Sequence, residues 1–180
     1  THDLDTPDGR LRLDTGFLVH NDRTYPLLIR LLAEVGVDRV DSDMSFAVSD
    51  PRTGFEYSTR SLATMFADRR TIVDLGHHRM LLEILRFGRR ARALLDAGDA
   101  DALTLGAFLD RERFSPRFID RYLFPLAAAI WSAAPDSLRG FPAATLIRFF
   151  HQHGMLTALD HPTWKMVRGG SATYIPKLIA

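Results

Sequence analysis

Cysteine is absent from the 180 residues, which excludes disulfides, thiolate nucleophiles and cysteine-ligated metals. Lysine is nearly absent too: only Lys165 and Lys177 occur, and arginine supplies the remaining positive charge. Basic and acidic residues balance, 23 against 22, for a formal net charge of +1. The chain as a whole is therefore marked neither for nucleic acid nor for an anionic membrane. Long apolar runs are missing as well. The longest, residues 123–131, contains Pro125 and falls short of the roughly 18 residues a membrane helix needs, so no membrane span is expected. No signal-peptide pattern occurs, and a cytoplasmic location is expected. The chain starts at Thr1 rather than at a methionine, as a processed chain or a piece of a longer one would.

Several catalytic signatures are also missing. There is no Gly-x-Ser-x-Gly elbow, no phosphate loop of the Gly-Lys-Ser kind and no His-Glu-x-x-His pair. Nor does Gly-x-Gly-x-x-Gly occur, the spacing that lets backbone approach a pyrophosphate at a helix start. Taken alone, the chain is not a nucleotide-binding domain. The histidines do not repair this. His77 and His78 are adjacent and point different ways on a helix, and His151 and His153 sit at a helix end without a carboxylate partner, so no metal site is expected.

What is present is an ordinary globular composition, 46% apolar and 25% charged, at a length suited to one compact domain. Thr6-Pro7-Asp8-Gly9 predicts a turn between two extended pieces, the second of which, Arg10 to Leu13, alternates like a half-buried strand. Asn21 or Asp22 is positioned to cap a helix with Pro26 in its first turn and Gly36 at its end. Residues 44–49 and 55–58 read as a hairpin around Pro51-Arg52-Thr53-Gly54, followed by a short helix over 61–67. A long helix from about Leu75 to Gly98 has Leu81, Ile84, Leu85, Ala91, Leu94 and Leu95 as its apolar face. Its arginines and Glu83 form the solvated side, not a nucleic-acid strip.

Thr104 and Ser115-Pro116 start further helices, the second of which should kink or break at Pro125. Pro142 opens another. Residues 164–167 read as a strand leading into Gly169-Gly170, with Ser171 capping a last helix. The class is α+β: a helix-rich single domain over 1–180 with a small mixed or antiparallel sheet.

Two stretches could carry function. In Leu13-Asp14-Thr15-Gly16-Phe17, an acid and a glycine leave a strand. That is either a tight turn or a place where the backbone comes close to a ligand. Gly169-Gly170-Ser171 is a strand-to-helix junction, although paired glycines also occur in plain loops.

The order of these segments resembles the bacterial flavin-containing amine oxidase-like oxidoreductases. The match runs through Asp14-Thr15-Gly16-Phe17-Leu18-Val19, Asn21 and Arg23 to Leu31. It continues through Ser42-Asp43-Met44-Ser45-Phe46, Gly54-Phe55-Glu56-Tyr57, Ala129-Ile130-Trp131-Ser132, Phe141-Pro142-Ala143, Arg148-Phe149-Phe150, His153-Gly154-Met155-Leu156 and Arg168-Gly169-Gly170-Ser171. It implies that this chain is an interior, substrate-side piece of a longer FAD-dependent enzyme whose Rossmann-type parts lie outside it. It also implies FAD contacts at Asp14, Thr15, Gly16, Phe17, Gly169, Gly170 and Ser171, although FAD should not bind this piece tightly on its own. Phe17 and Trp131 would line a cavity for a small, apolar substrate, with core packing beside the alanines as the other reading of Trp131. No catalytic acid or base is implied. The partners expected are the missing FAD domain and, through the exposed docking face, a second copy. The competing reading is a non-catalytic helical binding or scaffolding domain.

Overall fold

A computed structural model describes residues 2–157 and 162–179. The chain starts with a hairpin, β1 (His2–Thr6) and β2 (Gly9–Leu13), followed by β3 (His20–Asn21), α1 (Pro26–Glu34) and β4 (Arg39–Asp41). A second hairpin, β5 (Ala47–Asp50) and β6 (Phe55–Ser58), leads into α2 (Leu62–Met65), α3 (Leu75–Asp96), α4 (Leu105–Arg111) and α5 (Pro116–Phe118). Next come α6 (Phe124–Trp131), α7 (Ala143–Gln152), β7 (Trp164–Val167) and α8 (Ile175–Ile179). The class is α+β, with every paired strand antiparallel. The length of the chain predicts a single domain. The chain forms two compact units, Thr1–Met44 with Pro162–Ala180, and Ser45–His161. Because the first is assembled from both ends of the chain, no linker composition announces it.

In the first unit, Pro7-Asp8 makes the expected turn and Gly9 takes φ +125, a value side chains disfavour. Leu4 pairs with Leu11 and His2 with Leu13, so the leucines share one face, while Asp3 takes hydrogen bonds from Arg10 and Arg12 on the other. β2 was expected to be half-buried; it is exposed at every residue. β7 lies between β3 and β4 in a three-stranded sheet. α1 begins at Pro26 with Tyr25, not Asn21 or Asp22, at its N-cap. Asn21 instead closes the turn ahead of the helix: its Oδ1 accepts from the Arg23 and Thr24 amides at 3.0 and 2.9 Å.

The second unit holds the larger core. Ser61, Asp74, Thr104 and Ser115 each accept a backbone N–H at a helix start, which explains where these helices begin. α3 buries Met80, Phe87, Ala91 and Leu94, and Phe87 meets Phe108, Phe114, Phe118 and Phe150 at ring distances of 5.7–6.3 Å. The buried stripe is rotated from the expected one. Leu85 is exposed and Glu83 is buried, with its carboxylate accepting from the Ser115 amide and hydroxyl. Gly88 lets α3 meet the backbone of Leu156, since a Cβ there would lie 2.2 Å from the Leu156 carbonyl oxygen. The break expected at Pro125 is milder. A π-helical turn at Ile119–Leu123 joins α5 to α6, with the Phe124 amide reaching back to Ile119.

Candidate functional site

The two stretches singled out in the sequence meet within the first unit. β2 delivers Asp14 just past its last residue, and β7 delivers Gly169-Gly170-Ser171 just past its own. Asp14 Oδ2 accepts the Ser171 amide at 2.7 Å. The Ser171 hydroxyl lies 3.0 Å from the same oxygen and 2.7 Å from the Phe17 carbonyl oxygen, so its single proton is shared between two acceptors. One buried serine thus clamps both ends of the Asp14–Phe17 turn. Ser171 was expected to cap the last helix. It is the first residue of a 3-10 turn, Ser171–Thr173, and its hydroxyl is spent on Asp14 and Phe17.

The glycines differ in their reasons. Gly169 and Gly170 sit at φ +77 and +92, so the fold itself requires them. Gly16 does not have a positive φ, and a Cβ added there would meet nothing within 4 Å. Nothing in its own surroundings asks for glycine at position 16. Thr15 and Gly16 lie exposed at the tip of the turn.

Phe17 turns its ring inward, stacked on His20 at 6.0 Å and edge-on to Tyr25 at 6.1 Å. His20 is fully buried, and neither ring nitrogen meets a hydrogen-bond partner among the described residues. Burial lowers its pKa first, the Arg39 and Lys165 charges lower it further, and Asp22 opposes them. The imidazole behind Phe17 is therefore neutral near pH 7. Sequence reasoning missed it, because a histidine in a two-residue strand carries no periodic signal.

Trp131 belongs to the second unit, where its ring packs on Phe141, Phe149 and Phe150 at 5.5, 4.9 and 6.4 Å. This is the core-packing arrangement. Two open depressions, of about 270 and 180 Å³, lie in the first unit. His2, Asp3, Arg12, Ala172 and Thr173 line the larger, beside the Ser171 clamp, and neither is lined by Phe17 or Trp131. Arg12 and Asp3 face it as an ion pair with Nε and Oδ1 3.0 Å apart.

Among the described residues, no group of three or more His, Asp or Glu side chains is placed to hold a metal ion. His77 Nε2 is engaged by the Met65 carbonyl at 2.9 Å, and His78 Nε2 by that of Ile72 at 2.8 Å. No family model and no curated protein matches the sequence.

The residues assigned to FAD can be tested against the shape of such a group. They offer an exposed turn tip whose Gly16 carries no side chain, held from behind by Ser171, which leaves room for one wall of a planar ring system. They offer no phosphate cradle among the described residues, and the Ser171 amide is already given to Asp14. The set fits a wall, and only a wall.

Proposed function

We infer that the chain is the substrate-side portion of an FAD-dependent, amine oxidase-like oxidoreductase, with the Asp14–Phe17 turn lying against the flavin. One observation carries the reading. Gly16 stands at the tip of a turn clamped by Ser171, in a conformation and a space that would accept any small side chain. A glycine that its own chain does not require leaves room for a neighbour to come close. When bound, the flavin would accept the hydride removed from the substrate.

The chain's own residues have supporting parts. Asp14 and Ser171 fix the turn, so that the wall does not yield when a planar group presses on it. Phe17, braced by His20 and Tyr25, keeps water from the rear of the turn. Because His20 is held neutral, the imidazole itself adds no positive charge behind that wall near pH 7. No side chain here is assigned a proton transfer.

The test is to express the complete reading frame from which these residues come and to record its visible spectrum. A stoichiometric flavin absorbance that is lost when the Asp14–Phe17 turn is deleted supports the reading. A complete product that folds, remains colourless and takes up no FAD leaves the non-catalytic binding domain as the better account.

A further inference from the structure

The outward side of α3 carries aliphatic side chains set among arginines, and we propose that it docks on an anionic lipid bilayer. This goes beyond the flavin reading and does not depend on it. Val73 is 85% exposed, Leu75 83% and Leu82 66%, with Ile72 and Leu85 each about half exposed. Spacings of seven and three residues put Leu75, Leu82 and Leu85 on one side of the helix. The opposite side is the one that buries Met80, Phe87, Ala91 and Leu94. These leucines are therefore surplus to the core, and they project singly instead of lining a groove.

Their neighbours are cationic. Arg79, Arg86 and Arg89 each follow one of the three leucines by four residues, the spacing of adjacent positions on a helix surface. α3 holds five arginines against Glu83 and Asp96. Arg79 pairs with Glu83, which also serves Ser115, and Arg86 and Arg90 pair with Glu112, so among the described residues Arg89 is the surplus exposed charge beside the leucines. Arg89 is exposed and has no ion pair among the described residues. The positive potential is local, because the whole chain has a net charge of only +1.

Arginines beside isolated aliphatic side chains suit the boundary of a bilayer. The leucines can enter the acyl region while the guanidinium groups remain with anionic headgroups. A second copy is a poorer occupant. A two-fold contact through this patch would bring the same arginine-bearing surface of both copies together. Among the described residues no helix is long and apolar enough to cross a membrane, so the contact would be peripheral.

The test is co-sedimentation of the protein with vesicles of phosphatidylcholine containing phosphatidylglycerol, beside vesicles of phosphatidylcholine alone. The protein should pellet with the first and stay soluble with the second, and salt should weaken the binding. Leu75→Ser with Leu82→Ser should reduce partitioning on the order of tenfold. Arg89→Gln should reduce it about fivefold and Arg89→Lys hardly at all. The Arg89 pair keeps the test decisive should the leucine variant fail to fold. No pelleting with anionic vesicles, or equal pelleting with both kinds, overturns the proposal. So does a leucine variant that abolishes self-association while vesicle binding persists, since the occupant is then a second copy.

Discussion

The Tyr57 hydroxyl donates a 2.7 Å hydrogen bond to the carbonyl oxygen of Arg121, and Pro125 supplies the reason. In an α-helix the Arg121 carbonyl would accept the amide of residue 125, which proline lacks. Tyr57, buried in β6, replaces that missing donor from a different element. Burial pushes its pKa far above the ordinary tyrosine value, so the phenol keeps its proton at any working pH. Tyr57→Phe should cost about 1–3 kcal/mol in urea unfolding, the cost of leaving a carbonyl unpaired. Pro125→Ala restores an amide at that place, so the double variant should lose less than the two single losses added together. Strict additivity would show that the two residues do not serve the same carbonyl.

The Asp14–Ser171 clamp makes a local prediction. The Ser171 amide is donated to a carboxylate, and hydrogen bonds to charged groups contribute about 1.5–3 kcal/mol. Asp14→Ala should therefore speed amide exchange at Ser171 by about 10- to 100-fold while exchange in the α3 core stays unchanged. Unaltered exchange at Ser171 would mean that the 3-10 turn holds itself without the acid.

Gly88 allows the opposite kind of test, one of steric limit. An added methyl would stand 2.2 Å from the Leu156 carbonyl oxygen and 3.1 Å from its carbon, and backbone cannot swing aside as a side chain can. Gly88→Ala should destabilise the protein by about 1–3 kcal/mol, outweighing the gain of up to about 1 kcal/mol that alanine brings to a helix interior. A stabilised variant would place the 153–156 turn farther from α3.

How far the sequence reveals this molecule depends on how local each cause is. The turn at Pro7-Asp8, the caps at Ser61, Thr104 and Ser115, and the stops at Gly36 and Gly98 each follow from a few adjacent residues, and all were legible. β3 and β4, two and three residues long, are too short to show any alternation. Glu83 looked like a solvated charge because its partner, Ser115, lies 32 residues on. The rotated face of α3 follows from that one pairing together with Phe87. Asp14 and Gly169-Gly170-Ser171 each stand out locally in the sequence, but the bond between them spans 157 residues, so its consequence for Ser171 is not legible there.

Two fully buried histidines set a pH dependence. Burial is the first cause lowering the pKa of both His20 and His77 below the ordinary 6.5. For His77 the Met65 carbonyl and Asp74 oppose the shift, while Arg117 and His78 add to it. As the folded values lie below the unfolded one, the unfolded chain binds protons first as pH falls. Their stabilisation is thus complete above about pH 6.5 and is lost as pH drops toward the folded values, at up to about 1.4 kcal/mol per pH unit for each histidine. The urea midpoint should fall between pH 7.5 and 5.5, and His77→Phe should flatten the slope. A midpoint that does not move would show that both imidazoles accept a proton in place.

Gly16 separates stability from function. Its φ is not positive and a Cβ there meets nothing within 4 Å, so Gly16→Ala should leave the unfolding free energy within about 0.5 kcal/mol of the parent. If the turn faces a flavin, the same methyl in the intact protein intrudes on the bound ring and should weaken FAD retention, measured by the flavin released on dilution. Gly169→Ala is the contrasting control. Its φ of +77 makes any side chain strained, so its loss should appear in the unfolding curve with or without FAD. A Gly16→Ala protein as stable as the parent and equally retentive of FAD would leave the glycine with no close neighbour to explain it. The wall would then have to face something other than the flavin.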